Sequence, residues 1–159
     1  MPSPQTTIHV RPRFEDLVVG DRQTFGSYTV TEEEILSFAE QYDPQEFHVD
    51  LEAAEESMFG ELVASGWHST AISMRILVDN FFANSGSLGS PGVESVTWPA
   101  PVKPGETLSL TLEVTDKRTL ESDPSRGLVT FSLEMQNEDG ETKLTMDPKV
   151  FFARRENGK

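Results

Sequence analysis

One antiparallel sheet wrapped around a long central helix, an α+β fold in a single domain, is predicted by three features of this sequence. Trp67, Thr70, Ala71, Met74, Leu77, Val78 and Phe81 recur at helical spacing, and Ile72, Ile76 and Phe82 widen the apolar surface. Downstream the period changes to two: Leu108, Leu110 and Leu112 alternate with polar neighbours, as do Val129, Phe131, Leu133 and Met135. The element order is a strand and a helix before the long helix, then four strands after it, which suits one sheet covering one helix. A chain of 159 residues is long enough for one sizeable core and short for two.

Residues 24–30, with Phe25 and Tyr28, form a short first strand. Thr31 followed by Glu34 is a capping-box signature, and three glutamates in the first turn complement the helix dipole. Ile35, Phe38 and Ala39 then give a helix over 32–41 its apolar stripe, and Pro44 ends it by pushing Asp43 toward extended geometry. Asp50 is placed to cap a short helix over 51–57, and Ser65 to cap the long helix that opens near Gly66 or Trp67 and runs to Phe82. A helix apolar on more than one side is expected to be enclosed by the sheet, with room for a partner subunit over the remainder. Residues 84–92 read as a Gly/Ser linker. Pro104-Gly105 predicts a tight turn of type II, and Asn137 to Gly140 a hairpin turn between strands over 128–135 and 143–152. Pro148 places the last strand's pairing locally or at a sheet edge.

Asp and Glu number 27 against 13 Lys and Arg, a formal charge of -14. This excess opposes nucleic-acid backbones and anionic membranes, and Arg154-Arg155 is too short a basic patch to reverse it. A phosphate-bearing ligand would need locally placed cations; the candidates are Arg13, Lys103, Lys117, Arg118, Arg126 and Arg154. Zero Cys excludes disulfides, thiol nucleophiles and cysteine-bound metals. The first residues contain no apolar export segment, and no stretch is apolar enough to span a bilayer, so a cytoplasmic protein without nucleic-acid or membrane partners is expected.

The polar residues that suggest chemistry lie in two places. Tyr42-Asp43-Pro44-Gln45-Glu46-Phe47-His48-Val49-Asp50 closes the first helix, and Val63-Ala64-Ser65-Gly66-Trp67-His68 opens the long one. Asp43 and His48 can act as a general acid/base pair if the loop turns both toward a cleft. The competing structural readings are an Asx-turn for Asp43 and a backbone-bonded buried imidazole for His48. Asp50 reads first as a helix cap. Tyr42 and Phe47 read as core anchors of the loop. Gly66 at a helix N-terminus leaves an N–H for an acyl oxygen, or simply allows close packing. His68, one turn inside, faces either a cleft or the core. There is no phosphate loop, no metal-binding spacing and no nucleophile elbow.

These two segments, followed by Ala100-Pro101-Val102-Lys103-Pro104-Gly105-Glu106, resemble the MaoC-like acyl dehydratases and (R)-specific enoyl-CoA hydratases of the hotdog superfamily. The likeness divides the chain into an extension over 1–13, a hotdog domain over 14–155 and a tail over 156–159. In two places the chain departs from the family pattern. The usual Asp two residues before Asn-Pro falls at Gln41, with Asp43 in the Asn position and one extra residue before His48; and Ala64-Ser65-Gly66 stands for Ala-His-Gly. The resemblance implies reversible hydration of a trans-2-enoyl thioester, most naturally an acyl-CoA. Asp43 and His48 would be catalytic and the Gly66 N–H would bind the thioester carbonyl. Gln41, Tyr42, Phe47, Asp50, Ser65, Trp67 and His68 would shape the site. It implies no metal or cofactor, and a homodimer or a dimer of dimers. A hotdog thioesterase and a noncatalytic acyl-binding protein are the alternatives, the latter favoured by Gln41 and Ser65.

Overall fold

The computed structural model describes residues 12–155; the expected tail and all but the end of the expected extension lie outside the described residues. Five strands, β1 (Arg22–Thr29), β2 (Ser87–Thr97), β3 (Thr107–Thr119), β4 (Arg126–Gln136) and β5 (Thr142–Ala153), form one sheet in the order β1-β3-β4-β5-β2. All its pairings are antiparallel. The helices are α1 (Glu32–Tyr42), α2 (Glu46–Val49), α3 (Leu51–Glu56) and α4 (Gly66–Leu77), the last continued by a π-helical turn over Val78–Phe82. This is the hotdog arrangement, with the sheet curled around α4.

Alternation in the sequence places the core. Leu108, Leu110, Leu112 and Val114 of β3, Val129, Phe131, Leu133 and Met135 of β4, and Leu144, Met146, Val150 and Phe152 of β5 are buried on one sheet face. They meet Ile72, Ile76 and Leu77 of α4 and Phe81 beyond it, with the Phe81 and Phe131 rings edge-on at 5.7 Å. Each such side chain contributes roughly 1.5–3 kcal/mol by leaving water. The turn at Pro104-Gly105 is type II as expected: Gly105 has φ 87° and Glu106 N–H donates to Lys103 O.

Four expectations change. Residues 84–92 are not a linker throughout, because β2 begins at Ser87. Gly89 and Gly92, with φ of 118° and 153°, sit where the β2–β5 register slips, so these glycines form bulges within a strand. β5 is interior, between β4 and β2. Its Pro148 faces Val93 immediately before another register slip, where the ladder is already interrupted and the missing N–H matters least. Tyr42 is 69% exposed and touches Phe38 at 5.1 Å, so it is no core anchor; its position at the last turn of α1 points it outward. Finally, α4 is covered on one side only. Trp67, Met74 and Val78 remain exposed, and Trp67 and Met74, with Val93 of β2, border an apolar cleft of about 570 Å³.

Candidate active site

The site forms where the C-terminal end of α1 meets the N-terminal end of α4. Asp43 is the C-cap of α1, its N–H bonded to Ala39 O, which fixes the backbone from which the carboxylate projects. Three residues on, α2 begins, and this single turn turns His48 inward until it is 5% exposed. His48 Nδ1 lies 2.9 Å from Val63 O. A carbonyl can only accept, so Nδ1 carries the proton and the Nε2 lone pair is directed elsewhere. Nε2 is 3.6 Å from Asp43 Oδ2.

Asp43 is held as a carboxylate. Burial pushes its pKa up, but the Ser65 hydroxyl, the Gln45 amide and, when it is protonated, the nearby His48 outweigh burial and bring it below the usual Asp value. The Gln45 amide donates to Oδ1 at 2.7 Å. Ser65 has two partners: its oxygen accepts from Trp67 N–H as the N-cap of α4, and its hydroxyl faces Asp43. This serine ties the helix start to the carboxylate.

His48, Phe59, Gly66, Ser69, Trp98 and Pro101 line a cavity of about 220 Å³. Gly66 is the first helical residue of α4, so its N–H has no intrahelical acceptor. A Cβ at Gly66 would fall 2.5 Å from the Trp98 ring, so only glycine allows the indole to lie against the helix start. Trp98 is fixed there by its Nε1–H, which donates to Thr70 Oγ1 at 3.1 Å. Sequence reasoning singled out Gly66 but not Trp98; the signal was the Trp98-Pro99 break just before the family-like 100–106 segment.

The remaining residues divide. Phe47 is half-buried and packs on the His48 and Phe59 rings at 4.5 and 5.8 Å. Asp50 caps α3, accepting from Glu52 and Ala53 N–H. Trp67 is exposed and edge-on to Trp98 at 5.1 Å. His68 is buried but turned away from His48. It bonds Glu34, and with Gln41 and Arg75 it borders a separate groove of about 720 Å³. Glu34 itself completes no capping box. Thr31 accepts from its N–H, while its carboxylate reaches Tyr28 and His68. Among the candidate cations, Lys117 bonds Phe14 O and Leu17 O and Arg154 pairs with Glu15. Arg118 and Arg126 border a groove on the sheet, and Lys103, paired with Glu61, lies on the segment that walls the cavity.

Residues 14–135 match the family described as the MaoC like domain. The chain belongs to the MaoC-like family. A MaoC-like dehydratase from Rhodospirillum rubrum of known structure is 40% identical, with a TM-score of 0.83 over 91% of this chain and 98% of that one. The uncharacterised Bacillus subtilis protein YdeM is 28% identical over 126 residues, 79% of this chain and 88% of its own length. The unliganded R-hydratase PhaJ1 from Pseudomonas aeruginosa, at 22% identity and a TM-score of 0.68 over 91% and 86% of the two chains, shares the fold. Fold and family are thus those of the MaoC-like dehydratases.

Proposed function

We propose that the protein catalyses reversible hydration of a trans-2-enoyl thioester, with acyl-CoA as the substrate class. The observation that carries this reading is an ionised Asp43 lying 3.6 Å from His48 Nε2, beside a cavity lined by both His48 and Gly66. Two acceptors at that separation suit one water molecule donating a hydrogen to each, with its oxygen lone pair turned toward the substrate. The β-carbon receives the water oxygen while the π electrons move through the α-carbon to the thioester oxygen. Gly66 N–H, at the positive end of α4, stabilises the resulting enolate.

An imidazole is the stronger base of the two group types, and the lowered pKa of Asp43 widens that difference. His48 Nε2 therefore takes the proton from water and returns it to the α-carbon as the enolate collapses; Asp43 orients the water and stabilises the transient imidazolium. Water is added once and no co-reactant is needed. A homodimer and a cytoplasmic setting belong to the same proposal. Support for the dimer is the exposed apolar face of α4 and β2, where Trp67, Met74 and Val93 lie open.

The test is hydration of trans-2-enoyl-CoAs of several chain lengths, with thiol release followed in the same samples and His48→Ala in parallel. Hydration by the wild-type protein and a loss of about 10²–10⁴-fold in the folded variant are expected. Normal hydration by folded H48A would sink the assigned role, and thiol release without hydration would make the protein a thioesterase.

A further inference from the structure

Asp43 ends α1 while Ser65 and Gly66 begin α4, so the site depends on how these two helices are held together. One imidazole grips both. His68, 3% exposed in the first turn of α4, places Nε2 2.8 Å from Glu34 Oε2. The same ring stacks on Phe38, with centroids 4.5 Å apart and planes 7° apart. Glu34 and Phe38 are one turn apart on α1, so His68 fixes both the axial position and the rotation of that helix. Tyr28 of β1 donates to the same Glu34 oxygen at 2.7 Å. Burial, then Glu34, raises the phenol pKa to about 12, so it remains a donor.

This arrangement is not what packing alone favours. His68 Nδ1 is buried without a hydrogen-bond partner, a cost that phenylalanine or leucine in the same space would not incur. The ring's distinctive contribution is the directional bond from Nε2 to α1.

We infer that His68 and Glu34 are positioning residues, whose bond sets α1 against α4 and so holds Asp43 within reach of His48 and Ser65. The kinetic part of this inference rests on the hydratase reading; the geometric part does not.

The sequence has three histidines, so the imidazole Cε1–H region of a two-dimensional NMR spectrum reports His48 directly. His68→Phe keeps a ring over Phe38 and removes the bond. The His48 resonance should move, and kcat for enoyl-thioester hydration should fall about 10²-fold with little change in KM, as for a small misplacement of a reacting group. Glu34→Gln, whose amide oxygen accepts from both Tyr28 and His68, should retain the wild-type spectrum and kcat; Glu34→Ala should behave as His68→Phe and replaces it if that variant does not fold. An unmoved His48 resonance in the folded variants overturns the inference, as does a moved resonance in Glu34→Gln equal to that in Glu34→Ala. Should the wild-type protein hydrate no enoyl thioester, the functional reading fails while the His48 resonance still decides this one.

Discussion

Two polar networks flank the 100–106 segment, and they differ in how fully they are satisfied. Lys143, 1% exposed on β5, has three N–H donors and three acceptors: Pro101 O at 2.9 Å, Glu141 at 2.6 Å and Glu106 at 3.0 Å. Nothing is left over. In the other network, His48 Nε2 faces Asp43 at 3.6 Å, too far for a direct hydrogen bond, so capacity remains on both groups. A saturated network can only hold structure in place; an unsaturated pair can take a third molecule. The first also supports the second, because Pro101, whose carbonyl Lys143 grips, lines the cavity beside His48.

The largest expected effect breaks the unsaturated pair. Asp43→Asn keeps the size of the side chain but removes the charge opposite Nε2. Hydration of an enoyl thioester should fall about 10²–10⁴-fold, while the melting temperature should shift by less than about 4 °C, the equivalent of under roughly 1 kcal/mol. A steady-state assay and a thermal melt separate the two. A large loss of stability with kcat intact would place Asp43 with the scaffold.

Breaking the saturated network should have the opposite signature. Lys143→Met leaves Glu106 half-buried without its cation and should cost about 3 kcal/mol by denaturant unfolding, the low end for a disrupted buried pair because Glu106 keeps Asn137 and Lys103 N–H as partners. The pH dependence sharpens this. Burial pushes the Glu106 carboxyl up, but the Asn137 amide, Lys103 N–H and Lys143 bring it below its ordinary 4.5. Its contribution is therefore present above pH 4.5 and lost as pH falls through the lowered value. Burial alone would lower Lys143, but Glu141 and Glu106 raise it above 10.5, so its contribution is present below pH 10.5 and lost at higher pH. The variant should lose stability between those limits and show a shallower decline in acid.

What could be seen in the sequence was local. The helix over 32–41, the caps at Asp50 and Ser65, and the turn at Pro104-Gly105 each rest on residues within a few positions of one another, and the structure contains them. The sheet faces followed from alternation over β3 and β4. What escaped reading was the second partner of residues already explained: Glu34 fitted a capping box yet reaches His68, and Ser65 fitted a cap yet also faces Asp43. A glycine in a bulge has the same composition as a glycine in a linker, which concealed the first half of β2. Lys143 escaped for a different reason. A lysine at the start of a strand reads as a solvated charge, and its burial depends on acceptors from Pro101 and Glu106, which lie far away in sequence.

Ser65 tests where the two kinds of network meet, and the smallest effect is expected there. As a cap it contributes about 1 kcal/mol, which Ser65→Ala should remove from global stability. As a donor to Asp43 it helps hold the carboxyl low, so its loss should raise the Asp43 pKa. If hydration needs Asp43 ionised, the acid limb of the pH–rate profile should then move to higher pH. Ser65→Thr retains both functions of the hydroxyl and should restore the wild-type limb. The sign is what discriminates: removing a cap alone lowers the melting temperature and leaves the titration in place, whereas removing a donor from a reacting carboxylate moves the titration even under conditions where the protein remains folded.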